Sequence, residues 1–181
     1  MRAGGFRALV VSALLLGSVV GCGDDGPGRN PISLVAGRAC QVVPFDAVDA
    51  ALGVRFDVAG SSHLDQTDTC VLGQTGHSLP DLMLAASATE ADDLIFRAVI
   101  TPSDATDLPG LGRGAYQQLV AASPGTGPSV EIGWLSAAPK LLVLRFTFAA
   151  GAGDAEAQAM AAKLLTLAQS IEHTVVNPSL P

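Results

Sequence analysis

The segment LLVLRFTF, residues 141–148, constrains the fold more than any other part of the sequence. In an extended chain, large apolar side chains would lie on both of its faces, so both faces need cover. The segment therefore predicts a central strand of a sheet. Just before it, residues 130–134, VEIGW, alternate large apolar side chains with a glutamate and a glycine. This alternation predicts a second strand, with one buried face.

The other periodic segments predict three helices and four more strands. The helices are expected at residues 44–52, 93–99 and 155–172, and the strands at residues 54–59, 69–74, 81–88 and 115–122. A helix stays open as the alternative for residues 81–88, which are rich in leucine and methionine. Because short connections favour antiparallel pairing of neighbours, we expect an α+β domain. It would contain one twisted, mostly antiparallel sheet of five to six strands, with helices packed on one face.

The amino terminus has the pattern of an export signal. Arg2 and Arg7 precede an apolar run, residues 8–20, that is too short to span a bilayer. The run ends in VVGC, residues 19–22, which resembles a bacterial lipobox. The resemblance implies that the Cys22 thiol is acylated and that the leader is cut just before it. An ordinary signal peptide with an incidental cysteine is the alternative.

This pattern divides the chain into four parts. Residues 1–21 are a lipoprotein signal peptide, and residues 22–38, rich in glycine and proline, are a flexible tether. Residues 39–173 are a single α+β domain, and residues 174–181 are a C-terminal tail. The expected location is the extracytoplasmic face of a cell membrane, held there by a lipid on Cys22.

The chain contains three cysteines. If Cys22 is acylated, Cys40 and Cys70 remain, and a pair of cysteines in an exported domain predicts a disulfide. A metal site or two free thiols are the alternatives. His63 and His77 do not stand at zinc-ligand spacing from Cys70, which counts against the metal.

Charge and motif spacing argue against several function classes. The chain carries 17 acidic and 10 basic residues and has no basic run, so no nucleic-acid partner is expected. Acidic residues such as Asp65 and Asp68 do not follow calcium-loop spacing, so no metal is expected. Gly110, Gly112 and Gly114 resemble part of a dinucleotide fingerprint, but they precede a predicted strand and not a helix. We therefore expect no cofactor.

Several short motifs together resemble a family. They are Cys40, DAALG at residues 49–53, Cys70, LGRGAY at residues 111–116, the two strands at residues 129–148 and the terminal helix. This set is similar to actinobacterial secreted lipoproteins with a two-cysteine domain of unknown function. The resemblance implies an envelope lipoprotein with a binding or sensing accessory role, and it supplies no catalytic residues.

The candidate site rests on one charged residue in the central strand. Arg145 interrupts an apolar segment, and we expect Thr147 and Glu131 on the same face of the sheet. If helices cover only the opposite face, these three residues are open to a partner. These three residues are the candidate partner surface. Trp134 is a candidate for lining a ligand pocket, although its alternation with apolar neighbours favours the core.

We expect a non-enzymatic binding or accessory function, with an envelope protein or a small molecule as partner. Two alternatives stay open. A carrier of an apolar small molecule would have a cavity beside Trp134. An envelope hydrolase would place His63 or His77 next to a serine and an acid, although no nucleophile-elbow motif is present and no catalytic residue is expected.

Overall fold

The computed structural model describes residues 38–177. In chain order the elements are α1 (Arg38–Gln41), α2 (Phe45–Leu52), β1 (Val58–Leu64), β2 (Thr67–Gln74), β3 (His77–Ala88), α3 (Asp93–Ile95) with a π-helical turn (Phe96–Ile100), β4 (Thr106–Asp107), β5 (Gly114–Val120), β6 (Ser129–Leu135), β7 (Lys140–Thr147) and α4 (Asp154–Val176). The proposed signal peptide, Cys22 and almost all of the tether lie outside the described residues.

The strands form one antiparallel sheet in the order β1-β2-β3-β7-β6-β5-β4. The prediction of an α+β domain with an antiparallel sheet is confirmed, and β7 is the middle strand as its apolar faces indicated. The sheet has seven strands and not five to six, because β4 lies in a segment expected to be loop. Its two residues pair with Gln117 and Tyr116 of β5. A strand this short carries no hydrophobic pattern.

The pairing of β3 with β7 joins two halves of the sheet. Strands β1 to β3 follow one another along the chain, and so do β4 to β7. Between β3 and β7, Leu84 lies opposite Leu144, and Asp81 lies opposite Thr147. From β3, in the middle of the sheet, the chain passes through α3 to β4 at the edge and then returns strand by strand to β7, beside β3.

Local capping explains where α2 begins and ends. Pro44 is extended and stands at the N-cap, where its missing N–H costs nothing. Gly53 adopts a φ of 69°, and its N–H donates to Asp49 at 2.8 Å. The Lys163 ammonium of α4 donates to the Leu52 carbonyl at 3.0 Å, which ties the helix end to α4. The predicted helix at residues 44–52 is confirmed.

The main core lies between the sheet and helices α1, α2 and α4. The buried side chains of α4 include a stripe formed by Met160, Leu164, Leu167 and Ile171. These pack against the inward side chains of the central strands, which include Leu84, Ile132, Leu142 and Leu144. The helix ends at Val176 and not near residue 172, because Val175 still packs against this core.

The predicted disulfide between Cys40 and Cys70 is confirmed. Their Cα atoms are 5.0 Å apart, and the bond joins α1 to β2 across a sequence separation of 30 residues. In the chain-entropy description, closing a loop of this size stabilises the fold by about 3–4 kcal/mol.

The limits of β1 and β3 differ from those expected. The strand predicted at residues 54–59 instead begins at Val58 and runs through a polar segment to Leu64. It is an edge strand with most of its side chains exposed, so no alternation marks it. A two-residue turn at Asp65, whose φ is 53°, pairs it with β2. The strand predicted at residues 81–88 begins earlier, at His77, and includes Pro80.

The expectation of helices on one face holds for α1, α2 and α4 but not for α3. The residue after α3, Phe96, is buried on the opposite face of the sheet, against Tyr116 and Leu135. The rings of Phe96 and Tyr116 lie 6.1 Å apart between centroids. Asp92 caps α3 by accepting a hydrogen bond from the Ile95 N–H at 2.8 Å. One end of the second face is therefore covered.

Candidate functional site

The part of the second sheet face beyond α3, which we call the open face, contains three of the predicted site residues. Glu131 of β6 lies directly opposite Arg145 of β7, and Ser129 lies opposite Thr147. Alternate residues of a strand point to the same side, so Glu131, Arg145 and Thr147 share this face. Arg145 donates from Nε to the Glu131 carboxylate at 2.7 Å, and its Nη2 donates to the same oxygen.

A third side chain, Tyr116 of β5, completes this cluster. Its hydroxyl donates to the other carboxylate oxygen of Glu131 at 2.8 Å. The ring lies directly over Gly133, where an added Cβ would come within 2.3 Å of the Tyr116 Cε1 atom. Gly133 is therefore the residue that lets the tyrosine reach across to Glu131.

The cluster runs from a buried acid to a partly exposed base. The side chain of Glu131 is 6 % exposed, whereas that of Arg145 is 44 % exposed. Both carboxylate oxygens accept hydrogen bonds, so the buried charge is compensated. Nη1 of Arg145 donates to no described residue, so one edge of the guanidinium remains available to a group outside the domain.

Burial raises the pKa of the Tyr116 hydroxyl well above its ordinary value. The hydrogen bond to Glu131 and the negative charge of that carboxylate raise it further, while the Arg145 charge acts in the opposite direction. Tyr116 is therefore a neutral hydrogen-bond donor at physiological pH, and it orients the carboxylate that holds Arg145.

Several apolar side chains lie close to Arg145 on the open face. Met83 of β3 lies directly opposite Arg145, and Val71 of β2 lies opposite Met83. Val143 is two residues from Arg145 on the same strand face, and it pairs with Ala85. These four residues are half-buried or exposed, with Val71 at 38 %. The open face thus combines one cation with an apolar patch.

Trp134 does not belong to this surface. It is fully buried on the helix-covered face, in the main core. Its Nε1 donates to Glu172 of α4 at 2.9 Å, and the second oxygen of Glu172 accepts from the Ala137 N–H at 2.9 Å. Trp134 therefore links β6 to the end of α4. Three cavities of about 370, 360 and 190 Å³ are lined by other residues.

The two histidines considered for hydrolysis lie on the β1–β2 and β2–β3 hairpins. His63 hydrogen-bonds to Asp68 through Nδ1 at 2.8 Å, as cross-strand neighbours. The His63 side chain is 65 % exposed, and His77 is also exposed. Neither lines any of the three cavities above. An exposed histidine–aspartate pair on a hairpin lacks the water-excluding site that a hydrolase uses.

Two further results concern metals and membranes. Within residues 38–177, no group of three or more His, Cys, Asp or Glu side chains is arranged to hold a metal ion. In the same range, no helix combines the length and apolar character that crossing a bilayer requires.

The sequence placed Arg145, Thr147 and Glu131 together but missed Tyr116 as their partner. The register between β5 and β6 brings Tyr116 beside Gly133, and register depends on turns that the sequence does not specify. A signal was present in Gly133, since a glycine within a strand often marks a close approach by another group.

Comparisons of the chain with protein-family models, with curated proteins and with solved structures found no match. The function is therefore inferred from the geometry of the site.

Proposed function

We propose that this chain is an envelope lipoprotein whose folded domain binds a partner protein through the open face. The observation that carries the proposal is the arrangement of Glu131, Tyr116 and Arg145. A buried carboxylate with both oxygens hydrogen-bonded fixes a partly exposed guanidinium beside an apolar patch. Such a combination suits a partner segment that carries apolar side chains and a carboxylate.

Two features of the chain support the location. The VVGC motif resembles a lipobox, and acylation of Cys22 would anchor the chain to a membrane. The disulfide between Cys40 and Cys70 is typical of proteins in an oxidising compartment. The 15 residues between Cys22 and Arg38 would keep the domain attached while letting its open face reach a neighbour.

The location is tested by mass spectrometry of the chain purified from membranes of the source cell or a bacterial host. We expect a diacylglyceryl group on Cys22 and loss of the preceding residues. The Cys22→Ser variant should leave the membrane fraction. A wild-type chain with an unmodified Cys22 thiol would refute the anchoring.

Partner binding is tested with a photo-crosslinking amino acid at Val71 on the open face. The matched control carries it at Ala162, an exposed position on α4 on the other side of the sheet. We expect a discrete crosslinked partner from position 71 and none from position 162. The Arg145→Gln variant should weaken this crosslink about tenfold, the loss typical of a charged hydrogen bond.

Two outcomes would contradict partner binding through this surface. One is equal crosslinking from positions 71 and 162. The other is crosslinking from position 71 that Arg145→Gln leaves unchanged, in a variant whose melting curve shows that it is folded.

A further inference from the structure

A cleft of about 370 Å³ lies between the π-helical turn after α3 and the loop that joins β4 to β5. It is lined by Phe96 and Arg97 from the turn and by residues 107–115 from the loop and the start of β5. Its volume is in the range of small-molecule sites. Two of its lining residues, Arg97 and Arg113, are arginines in a chain that is acidic as a whole.

The guanidinium groups of both arginines can interact with a ligand. Arg97 is exposed and forms no ion pair or hydrogen bond through its side chain with another residue in the range 38–177. Nη2 of Arg113 pairs with Asp93 at 2.8 Å, and both side chains are about half exposed. An exposed pair of this kind contributes little stability, so an incoming anion can compete for Arg113.

The loop adds backbone donors to the two arginines. The N–H groups of Leu108 and Arg113 donate to other backbone carbonyls, but those of Gly110 and Gly112 donate to no residue that the structure describes. Gly110 and Gly112 have φ values of 85° and 54°. Glycine permits these conformations, and at Gly112 it also allows the close approach of the Leu135 carbonyl, whose oxygen would lie 2.3 Å from an added Cβ. Backbone N–H groups without a partner in such turns are donors that can bind an anion.

We propose that this cleft binds a small ligand through an oxyanion group, a phosphate or a carboxylate, held by Arg97, Arg113 and the glycine-loop amides. Two guanidinium groups and free backbone N–H groups are the donors that proteins use for such anions. Asp107 also lines the cleft, so we expect the ligand to carry a hydrogen-bond donor beside its oxyanion. The site is separate from the Arg145 cluster, and its failure would leave the proposed partner binding untouched.

The test is calorimetric titration of the full chain, in non-ionic detergent at low ionic strength and neutral pH. The probes are inorganic phosphate and glycolate, titrated separately, because each carries a hydroxyl donor beside its oxyanion. We expect saturable binding of at least one, and the one that binds identifies the anion class. Arg97→Gln should raise the dissociation constant about tenfold or more, as loss of a charge-assisted hydrogen bond does.

The matched control is Arg55→Gln, because Arg55 is exposed and lies outside the cleft. It should leave the dissociation constant unchanged. Arg113→Gln is a second variant, whose melting curve reports whether loss of the Asp93 pair disturbs the fold. Absence of saturable binding by the wild type would overturn the proposal. So would equal weakening by Arg55→Gln and Arg97→Gln, which would indicate a general charge effect.

Discussion

Substituting Gly133 by alanine tests whether the tyrosine ring is fixed in its place over β6. An alanine Cβ would lie 2.3 to 2.6 Å from three atoms of the Tyr116 ring and hydroxyl. The ring cannot simply swing away, since its hydroxyl is bonded to Glu131 and its other neighbour is Phe96. Either the ring moves and the hydrogen bond breaks, or the two strands separate locally.

The expected cost combines two effects. Overpacking a well-filled site costs about 1–3 kcal/mol, and losing a hydrogen bond to a charged group costs about 1.5–3 kcal/mol. If the ring moves, part of the overpacking cost is relieved but the hydrogen bond to Glu131 is lost. The two costs therefore do not add in full, and we expect Gly133→Ala to lower the free energy of unfolding by about 3 kcal/mol. With a urea m-value of about 2 kcal/mol/M, the midpoint should fall by about 1.5 M.

Urea unfolding followed by tryptophan fluorescence is the measurement. Trp134 is the only tryptophan of the chain and is fully buried, so its emission reports the native core. The control is Gly60→Ala in β1, where an added Cβ would meet nothing within 4 Å. It should shift the midpoint little.

A double-mutant cycle decides the cause. In a Tyr116→Ala background the ring is gone, so Gly133→Ala should cost less than about 0.5 kcal/mol. If the alanine costs the same with and without the tyrosine, the ring is not what requires glycine at position 133, and the reasoning fails.

Two further predictions concern the disulfide and the buried tyrosine. Replacing Cys40 and Cys70 together by alanine should lower the free energy of unfolding by about 3–4 kcal/mol, measured by urea titration, and reductant should have no effect on that variant. Tyr116 is the only tyrosine, and its raised pKa means that the unfolded chain loses this proton at lower pH than the folded one. Stability should therefore fall as the pH rises above about 10, by up to about 1.4 kcal/mol per pH unit. Tyrosinate absorbance should appear only on unfolding, and Tyr116→Phe should remove this contribution to the slope; normal ionisation in the folded chain would refute it.

Strong local patterns allowed much of the fold to be predicted from the sequence. Residues 141–148 are apolar on both faces, and they form the middle strand. The helix α2 is flanked by Pro44 before its first residue and by Gly53 after its last, and both residues are typical of helix ends. The pairing of Cys40 with Cys70 followed from the cysteine count once Cys22 was set aside. For the strand and the helix, the residues that specify the element lie within it or directly beside it.

The elements that were misplaced depend on partners distant in sequence. β1 is defined by its backbone pairing with β2 and not by side-chain burial, so its polar residues gave no signal. Phe96 is buried only because Tyr116 and Leu135 are placed beneath it by β5 and β6. In the cluster around Glu131, Arg145 was predicted and Tyr116 was not, for the same reason. Positions on one strand share a face by alternation, but whether Tyr116 comes within reach of Glu131 depends on the register between β5 and β6.

The pairing of β3 with β7 has a consequence for how the chain acquires its structure. β1 to β3 can form through successive hairpins, as can β5 to β7. The two groups are joined only when β3 pairs with β7, with Ala88 opposite Lys140 and Asp81 opposite Thr147. Closing that long loop is slow compared with forming a hairpin. We expect the middle of the sheet to assemble last, after β7 has been synthesised. Until then the unpaired backbone edge of β3 can pair with other chains. A newly made molecule is therefore most prone to aggregate through a strand that lies in the interior of the completed sheet.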